Sequence, residues 1–245
     1  MTAVIPTLNE ADNISWVLTR LPREVDEVIV VDGQSTDATI DVAMATRPDV
    51  RIVHQDGRGK GNALACGFRE ATSDIIVMLD ADGSTDPREI PRFVAALETG
   101  AQFAKGTRFV TGGGSADITR LRRWGNRALT TLVNGVWGTR YSDLCYGYNA
   151  FWRSALSFIN PDSPGFEIET LLAIRVADSG VRVVEVPSFE GVRLHGASNL
   201  NARRDGIRVL RTILAEWMRP GRISSATPAH AVVTSTPSSD LAASA

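Results

Sequence analysis

The chain has 245 residues, of which 43% are hydrophobic and 22% are charged, with a formal net charge of −2. That length is enough to bury one core, and the charge gives no general attraction for nucleic acid. Two cysteines, Cys66 and Cys145, are too few for a disulfide framework or a thiolate zinc site. We expect reduced thiols in a cytoplasmic protein, because no apolar run approaches the roughly 20 residues of a membrane span and residues 1–6 lack the basic start of a secretory signal.

Short apolar runs alternate with amphipathic stretches of helix length over the first 110 residues. The apolar runs predict strands at 2–6, 27–32, 51–54, 74–80 and 101–104. The amphipathic stretches predict helices at 11–21, 37–46 and 59–71, with a further helix starting at Pro87. Strands separated by helices favour a mostly parallel sheet covered by helices on both faces.

The pattern changes beyond residue 110. Residues 111–117 are rich in glycine and predict a loop. The following residues predict helices at 122–136, 166–179 and 202–218, and strands at 148–153 and 181–186. Residues 221–245 are mainly Ser, Thr, Ala and Pro, and we predict a disordered tail there. We therefore expect one α/β domain over 1–220.

Three of the predicted strands end in polar segments. The segments are Pro6-Thr7-Leu8-Asn9-Glu10, Asp32-Gly33-Gln34-Ser35 and Asp80-Ala81-Asp82-Gly83. Ligands of parallel sheets bind beyond the carboxyl ends of the strands, which share one edge. The three segments are therefore predicted to lie on one rim.

Asp80 and Asp82 are one residue apart after a buried strand, so both carboxylates can face the same way. Carboxylate oxygens suit Mg²⁺ or Mn²⁺, which also bind diphosphate oxygens. Such an ion would neutralise the charge that develops on a departing nucleoside diphosphate. Isolated pairs of this kind are more often turn or capping residues, but the preceding strand and the shared rim favour a metal site.

Two further segments leave alternatives open. Asp32 can accept a hydrogen bond from a base or a ribose, or it can cap the turn that follows it. Gly57-Arg58-Gly59-Lys60-Gly61 resembles a phosphate-binding loop without matching the GxxxxGK[ST] pattern. It is either a contact to a nucleotide or a flexible loop with one lysine.

Taken in order, these segments closely resemble the motifs of family 2 glycosyltransferases. The resemblance continues through Gly106-Thr107-Arg108, Ser142-Asp143-Leu144, Gly147-Tyr148, Glu185-Val186-Pro187 and Arg193-Leu194-His195-Gly196-Ala197-Ser198. The full set covers roughly residues 3–200 and is similar to the polyprenyl-phosphate sugar transferases of the dolichyl-phosphate mannose synthase type.

The resemblance implies a GT-A (Rossmann-like) fold, with 1–110 as the nucleotide-sugar half and 111–220 as the acceptor half. It implies that a hexose is transferred with inversion from a nucleotide-sugar of the GDP-mannose or UDP-glucose type to a polyprenyl phosphate, with Mg²⁺ or Mn²⁺ as cofactor. Asp80 and Asp82 would hold the metal. The implied donor-binding residues are Pro6, Leu8, Glu10, Asp32, Lys60, Gly61, Asp80, Ala81 and Asp82.

Two features depart from the family pattern. Gly33 and Gln34 follow Asp32, where relatives often have a second aspartate, so the base that is recognised stays open. The C-terminal membrane spans that some relatives carry are not found in this sequence.

The acceptor side is argued from arginines. A phosphate monoester has a second pKa of about 6, so a polyprenyl phosphate is already an oxyanion and needs positioning more than a base. Arginine binds phosphate bidentately. The resemblance places Arg108, Arg123, Arg193 and Ser198 at the acceptor phosphate, with Arg120 or Arg122 as alternatives to Arg123.

An acceptor with a sugar hydroxyl would need a general base instead, and Asp143 is the first choice, ahead of His195. Asp82, Asp143 and Arg108 are thus the expected catalytic residues. Transfer to a soluble or glycan hydroxyl is one alternative function. A nucleotide-binding protein without activity is another.

The predicted helix at 202–218 is basic and amphipathic. Between residues 203 and 222 there are six arginines and two carboxylates. An apolar stripe at helical spacing is formed by Ile207, Leu210, Leu214, Trp217 and Met218. Such a helix can lie on the cytoplasmic face of a membrane, or the stripe can pack on its own domain or on a second subunit of a homodimer.

Overall fold

The computed structural model describes residues 1–197, 201–220 and 230–232. The strands are β1 Thr2–Thr7, β2 Glu27–Asp32, β3 Arg51–His54, β4 Ile75–Met78, β5 Phe103–Thr107, β6 Gly114–Ser115, β7 Asn149–Trp152, β8 Val183–Pro187, β9 Phe189–Glu190 and β10 His230–Val232. The α-helices are α1 Ile14–Arg20, α2 Thr39–Thr46, α3 Lys60–Glu70, α4 Ile90–Glu98, α5 Arg120–Trp137, α6 Leu156–Ile159, α7 Ile168–Asp178 and α8 Ala202–Trp217. Short 3₁₀ helices occur at Pro87–Glu89 and Arg153–Ala155.

Eight strands form the central sheet in the order β10-β8-β5-β7-β4-β1-β2-β3, and β6 pairs with β9 in a small second sheet. Every pairing in the central sheet is parallel except those of β7, which runs antiparallel between β4 and β5. The prediction of an α/β fold with a mostly parallel sheet is confirmed.

The sheet is buried on both faces. In β1, Val4 belongs to one apolar core with residues of α3, α5, α7 and α8. Its neighbours Ala3 and Ile5 point the other way, into a second core with residues of α1, α2 and α4. The alternation follows from the two-residue repeat of a strand and explains why these strands are almost wholly apolar.

The predicted rim is confirmed by the register of the first two strands. Thr7 at the end of β1 lies opposite Asp32 at the end of β2, and the Gly33 N–H donates to the Thr7 carbonyl over 2.8 Å. Since β4 lies on the other side of β1 in parallel orientation, the segment that begins at Leu79 leaves the sheet at the same edge. The fold thus brings the three polar segments together.

One expectation for the C-terminal part is corrected. Within 221–245, His230–Val232 form a strand that pairs with β8, so the prediction of a disordered tail is wrong for these three residues. The remainder of that segment lies outside the described residues. A parallel edge strand offers unpaired backbone groups that a neighbouring segment can satisfy, and β10 occupies that edge of β8.

The apolar stripe on α8 is exposed and is not buried against the described parts of the domain. Trp217 is 53% exposed, and Ile207, Leu210, Leu214 and Met218 are exposed as well. The buried side of α8 carries Asp205, Val209, Ile213 and Glu216 instead. The two carboxylates can be buried there because each is paired with an arginine. None of the helices in the described parts of the chain is long and apolar enough to cross a membrane.

Candidate active site

A cleft of about 300 Å³ lies at the rim, where β1, β2 and β4 end. Most of the donor-site residues predicted from the sequence line it, namely Pro6, Leu8, Glu10, Lys60, Asp80, Ala81 and Asp82. The structure also brings Phe166, Arg204 and Arg208 to this cleft. We refer to it below as the donor cleft.

Lys60 holds two carboxylates together in the donor cleft. Its ammonium Nζ lies 2.6 Å from Asp80 Oδ1 and 2.7 Å from Glu169 Oε1. Burial alone would lower the pKa of Lys60, but the charges of Asp80 and Glu169 raise it above the ordinary value. Gly147 makes room for this cluster, because a Cβ at that position would lie 2.6 Å from Glu169 Oε1 and 2.7 Å from Lys60 Nζ.

The pKa of Asp80 is perturbed by its surroundings. Burial in the cleft wall raises its pKa to about 6, although Lys60 opposes the shift. The negative charges of Asp82 and Glu169 add to the increase. About a third of the side chain stays exposed, at 32%, so one side of the carboxylate remains open to a ligand.

Arg193 closes the other side of the donor cleft. Its Nη2 donates to both carboxylate oxygens of Glu10 over 2.7 Å. Its Nη1 lies 3.4 Å from Asp82 Oδ2. Arg193 therefore joins the segment after β1 to the metal-site candidate after β4.

Asp80 and Asp82 can hold a divalent cation only with help from other ligands. Among the described residues, no three acidic, histidine or cysteine side chains converge on one point. Two carboxylates nevertheless fit an ion such as Mg²⁺ or Mn²⁺, which commonly takes its other ligands from water and substrate phosphates. Asp80 is already in contact with the ammonium of Lys60, and Asp82 lies near the guanidinium of Arg193.

Two predicted donor residues, Asp32 and Gly61, have local structural roles. Asp32 accepts hydrogen bonds from the backbone N–H groups of Gln34 and Ser35 over 3.0 and 3.1 Å, so it closes the turn after β2. Gly61 lies so close to the loop before α7 that a Cβ would come within 1.9 Å of the Ser163 carbonyl oxygen. Neither residue lines the donor cleft, although Gly33 and Lys60 beside them do.

Arg108 and Asp143 form a buried ion pair instead of an open acceptor site. Arg108 Nε lies 2.7 Å from Asp143 Oδ2, and the two side chains are 2% and 0% exposed. Arg108 Nη1 contacts Glu190, and its Nη2 donates to Asp143 Oδ1 and to the Cys145 carbonyl. Burial alone would lower the pKa of Arg108, but the two carboxylates raise it.

This geometry bears on two predictions. Arg108 has its N–H groups directed at Asp143, Glu190 and the Cys145 carbonyl, although the residue also lines a second cavity between α5 and α8. Asp143 also accepts a hydrogen bond from Asn126 over 3.1 Å and does not face a substrate as a base would. The sequence could not show either point, because Glu190 and Asn126 are distant in the chain and belong to none of the motifs.

The remaining acceptor-site predictions concern Arg123 and Ser198. Arg123 is exposed near the start of α5, with its guanidinium 5.6 Å from the Phe109 ring centroid. Ser198 lies outside the described residues. Arg204 and Arg208 were noted in the sequence only as part of the basic helix, and α8 brings both to the donor cleft.

The fold and this cleft define a glycosyltransferase of the GT-A class. A family model described as Glycosyl transferase family 2 matches residues 2–159. The chain belongs to this family, as the resemblance in the sequence predicts.

Named relatives cover most of the chain. Glycosyltransferase AglJ from Haloferax volcanii is 34% identical over 208 residues, which is 82% of this chain and 66% of that protein. Polyprenol monophosphomannose synthase from Mycolicibacterium smegmatis is 32% identical over 237 residues, which is 91% of this chain and 88% of that protein.

A solved structure shares the fold. Glucosyl-3-phosphoglycerate synthase from Mycobacterium tuberculosis, crystallised with Mn²⁺, UDP and glucosyl-3-phosphoglycerate, is 27% identical and has a TM-score of 0.72. The alignment covers 89% of this chain and 80% of that one.

Proposed function

We propose that this chain transfers a hexose, with inversion, from a nucleotide-sugar to a polyprenyl phosphate. The observation that carries the proposal is the enclosure of Asp143, the expected base for a hydroxyl acceptor, in a buried ion pair with Arg108. The similarity to polyprenol monophosphomannose synthase over 91% of the chain supports the same acceptor class.

The other carboxylates near the reacting groups support an acceptor that needs no base. Glu10 and Asp82 contact Arg193, and Asp80 and Glu169 contact Lys60. Each of these carboxylates therefore already has a cationic partner within the protein. A phosphate monoester arrives largely ionised, so charge compensation and alignment are sufficient to make it react.

In this proposal Asp80 and Asp82 bind Mg²⁺ or Mn²⁺ together with the donor diphosphate, and the ion supplies charge neutralisation of the leaving group. The Mn²⁺ and UDP in the Mycobacterium tuberculosis synthase are consistent with that chemistry. Lys60 lies beside Asp80 and can donate to a phosphate oxygen. Pro6, Leu8 and Glu10 contribute the nucleoside side of the cleft.

Arg193, Arg123 and Ser198 remain the proposed residues for the acceptor phosphate, and we add Arg204 and Arg208 because they line the donor cleft. Arg108 and Asp143 become positioning residues. Their ion pair joins the end of β5 to the segment before β7, and Asn126 ties that segment to α5 through the backbone N–H groups of Leu144 and Cys145.

The exposed stripe on α8 supports contact with a membrane surface. Arg204, Arg208 and Arg211 are exposed together with the apolar stripe, and Trp124 of the neighbouring α5 is 70% exposed. Basic residues beside exposed tryptophan and aliphatic side chains suit an anionic lipid interface. Cosedimentation with anionic and neutral vesicles tests this, and binding to neither would favour a second subunit on the stripe.

A hydroxyl acceptor is the second candidate, because the structural neighbour is a glucosyl-3-phosphoglycerate synthase. The deciding experiment uses purified protein, Mn²⁺ or Mg²⁺, a panel of GDP- and UDP-sugars, and either a polyprenyl phosphate or 3-phosphoglycerate. The proposal predicts a lipid-linked sugar with the anomeric configuration opposite to that of the donor. Sugar transfer to 3-phosphoglycerate alone would establish the second candidate.

A further inference from the structure

Gln55 and Asp80 line opposite ends of the donor cleft. The sheet runs in the order β4-β1-β2-β3 beneath the cleft. Asp80 follows β4, whereas Gln55 follows β3, and the Gln55 backbone N–H donates to the Asp32 carbonyl over 3.1 Å. A nucleotide whose diphosphate lies at Asp80 and Asp82 would therefore extend its base towards Gln55.

The side-chain amide of Gln55 is held in one orientation. The residue is only 9% exposed, and its Nε2 donates to the Gly57 carbonyl over 3.0 Å. Because a carbonyl oxygen can only accept, this contact fixes which side of the amide carries the nitrogen. The amide keeps its carbonyl oxygen Oε1 and a second N–H, so it can offer a ligand one acceptor and one donor.

The carboxylates nearest to this end of the cleft have other partners. Asp32 is buried and accepts hydrogen bonds from backbone N–H groups of the turn after β2. Glu10 accepts two hydrogen bonds from Arg193. Gly33 lines the cleft beside Gln55 and has no side chain. The group available to read a base here is therefore an amide and not a carboxylate.

An amide distinguishes between the two donor types that the sequence leaves open. Uracil presents a single donor, N3–H, between the acceptors O2 and O4, so one amide oxygen and one amide N–H match its edge. Guanine presents two adjacent donors, N1–H and the N2 amino group, beside O6. With a single amide oxygen, one of the two guanine donors stays without an acceptor, which is unfavourable in a closed cleft.

We propose that Gln55 selects the base of the donor and that the donor is a UDP-sugar. This inference rests on the proposed function, since it names the nucleotide of the same reaction. Oε1 of Gln55 would accept from uracil N3–H, and the second N–H of the amide would donate to O4. GDP-sugars would bind more weakly because the guanine amino group has no acceptor.

The test reverses the hydrogen-bonding character of residue 55. Isothermal titration calorimetry measures the Kd values of UDP, dTDP and GDP in the presence of Mn²⁺. We expect the unchanged protein to bind UDP about tenfold more tightly than GDP, the scale of one buried donor left unpaired. In Gln55→Glu the ratio should fall at least tenfold, because a carboxylate accepts from both guanine donors and repels uracil O4.

Two further variants separate base recognition from other effects. Gln55→Ala also loses the hydrogen bond to Gly57, and its affinities for UDP and GDP should become similar. Gln34→Glu introduces the same charge at an exposed neighbouring residue and should keep the original ratio. Melting temperatures establish that each variant is folded, and the ratio of Kd values is unaffected by a general loss of nucleotide affinity.

Three results would overturn the inference. The first is a protein that binds GDP as tightly as UDP. The second is an unchanged ratio in both Gln55→Glu and Gln55→Ala. The third concerns dTDP, whose thymine presents the same edge as uracil and should lose affinity in Gln55→Glu by the same factor. A loss confined to UDP would show that residue 55 does not contact this edge.

Nucleotide binding separates this inference from the proposed function, because no acceptor is present. If Gln55 determines a preference for UDP but no UDP-sugar reacts with a polyprenyl phosphate, the base assignment stands and the proposed reaction fails. If GDP- and UDP-sugars react equally well with a polyprenyl phosphate, the reaction stands and the base assignment fails.

Discussion

Lys60 Nζ lies 2.6 Å from Asp80 Oδ1, so the glycine-rich loop and the Asp-Ala-Asp segment meet in one ion pair. A metal ion that binds Asp80 has to compete with this lysine. Glu169, 2.7 Å from the same ammonium, gives Lys60 a second partner. We infer that Glu169 makes Asp80 available to the metal by holding Lys60.

Glu169→Gln should therefore raise the metal requirement. With one carboxylate partner left, Lys60 pairs more strongly with Asp80, and the cleft also loses a negative charge. We expect the Mn²⁺ concentration for half-maximal activity to rise roughly fivefold, which corresponds to about 1 kcal/mol. Glu98→Gln at the exposed end of α4 is the control. An unchanged Mn²⁺ requirement in Glu169→Gln would contradict the role given to Glu169.

Asp143→Asn should weaken the fold more than it harms the chemistry. Removing one partner of a buried ion pair leaves Arg108 undercompensated and costs about 3 kcal/mol of the free energy of unfolding. We expect the variant to have a lower melting temperature and a measurable residual kcat. At temperatures where the variant is folded, its pH–rate profile should have the same shape as that of the unchanged protein. Complete loss of turnover in a protein that is still folded would point to a general base and favour a hydroxyl acceptor.

Gly61→Ala should disturb the donor cleft through the backbone. The new methyl group would collide with the Ser163 carbonyl oxygen and push away the loop that carries Phe166. We expect a loss of about 1–3 kcal/mol in the free energy of unfolding, as in other overpacked sites, and weaker donor binding by calorimetry. Gly135→Ala introduces the same methyl group into open space and should do neither. Normal donor binding by Gly61→Ala would show that this close approach does not shape the cleft.

Cys145 should resist alkylation. Burial raises the pKa of its thiol to about 12, and the negative charges of Glu169 and Asp143 add to the effect. A raised thiol pKa means less thiolate at pH 8, and the thiolate is the reactive form. In a Cys66→Ser background, iodoacetamide at pH 8 should label the native protein far more slowly than the unfolded chain. Equal rates would show that Cys145 is open to solvent as a thiolate.

Local patterns were sufficient to predict the sheet and the rim that carries the donor cleft, whereas the donor-binding residues came from the family resemblance. Apolar runs predict β1, β2 and β4, and the convergence of parallel strand ends predicts that Glu10, Asp32 and Asp80 lie close together. These predictions depend on residues close in sequence and on one general property of parallel sheets.

The acceptor half could not be read in the same way, because its character depends on long-range pairing. Arginine is a common phosphate ligand, but the Arg108 side chain is enclosed by Glu190 and Asp143. The sequence also could not show which face of α8 is buried. Asp205 and Glu216 lie on the buried face because each is paired with an arginine. Glu169 belonged to no motif, and only the fold brings it to Lys60.

The most direct test of the account compares two acceptors that differ only at the reacting group. The purified chain, Mn²⁺ and a labelled nucleotide-sugar are incubated with a polyprenyl phosphate or with the matching polyprenol, and the lipid extract is analysed for labelled sugar. We predict a labelled product from the phosphate alone, and none from Asp82→Asn. Labelled product from the polyprenol, or from the Asp82→Asn variant at the normal rate, would contradict the central claim.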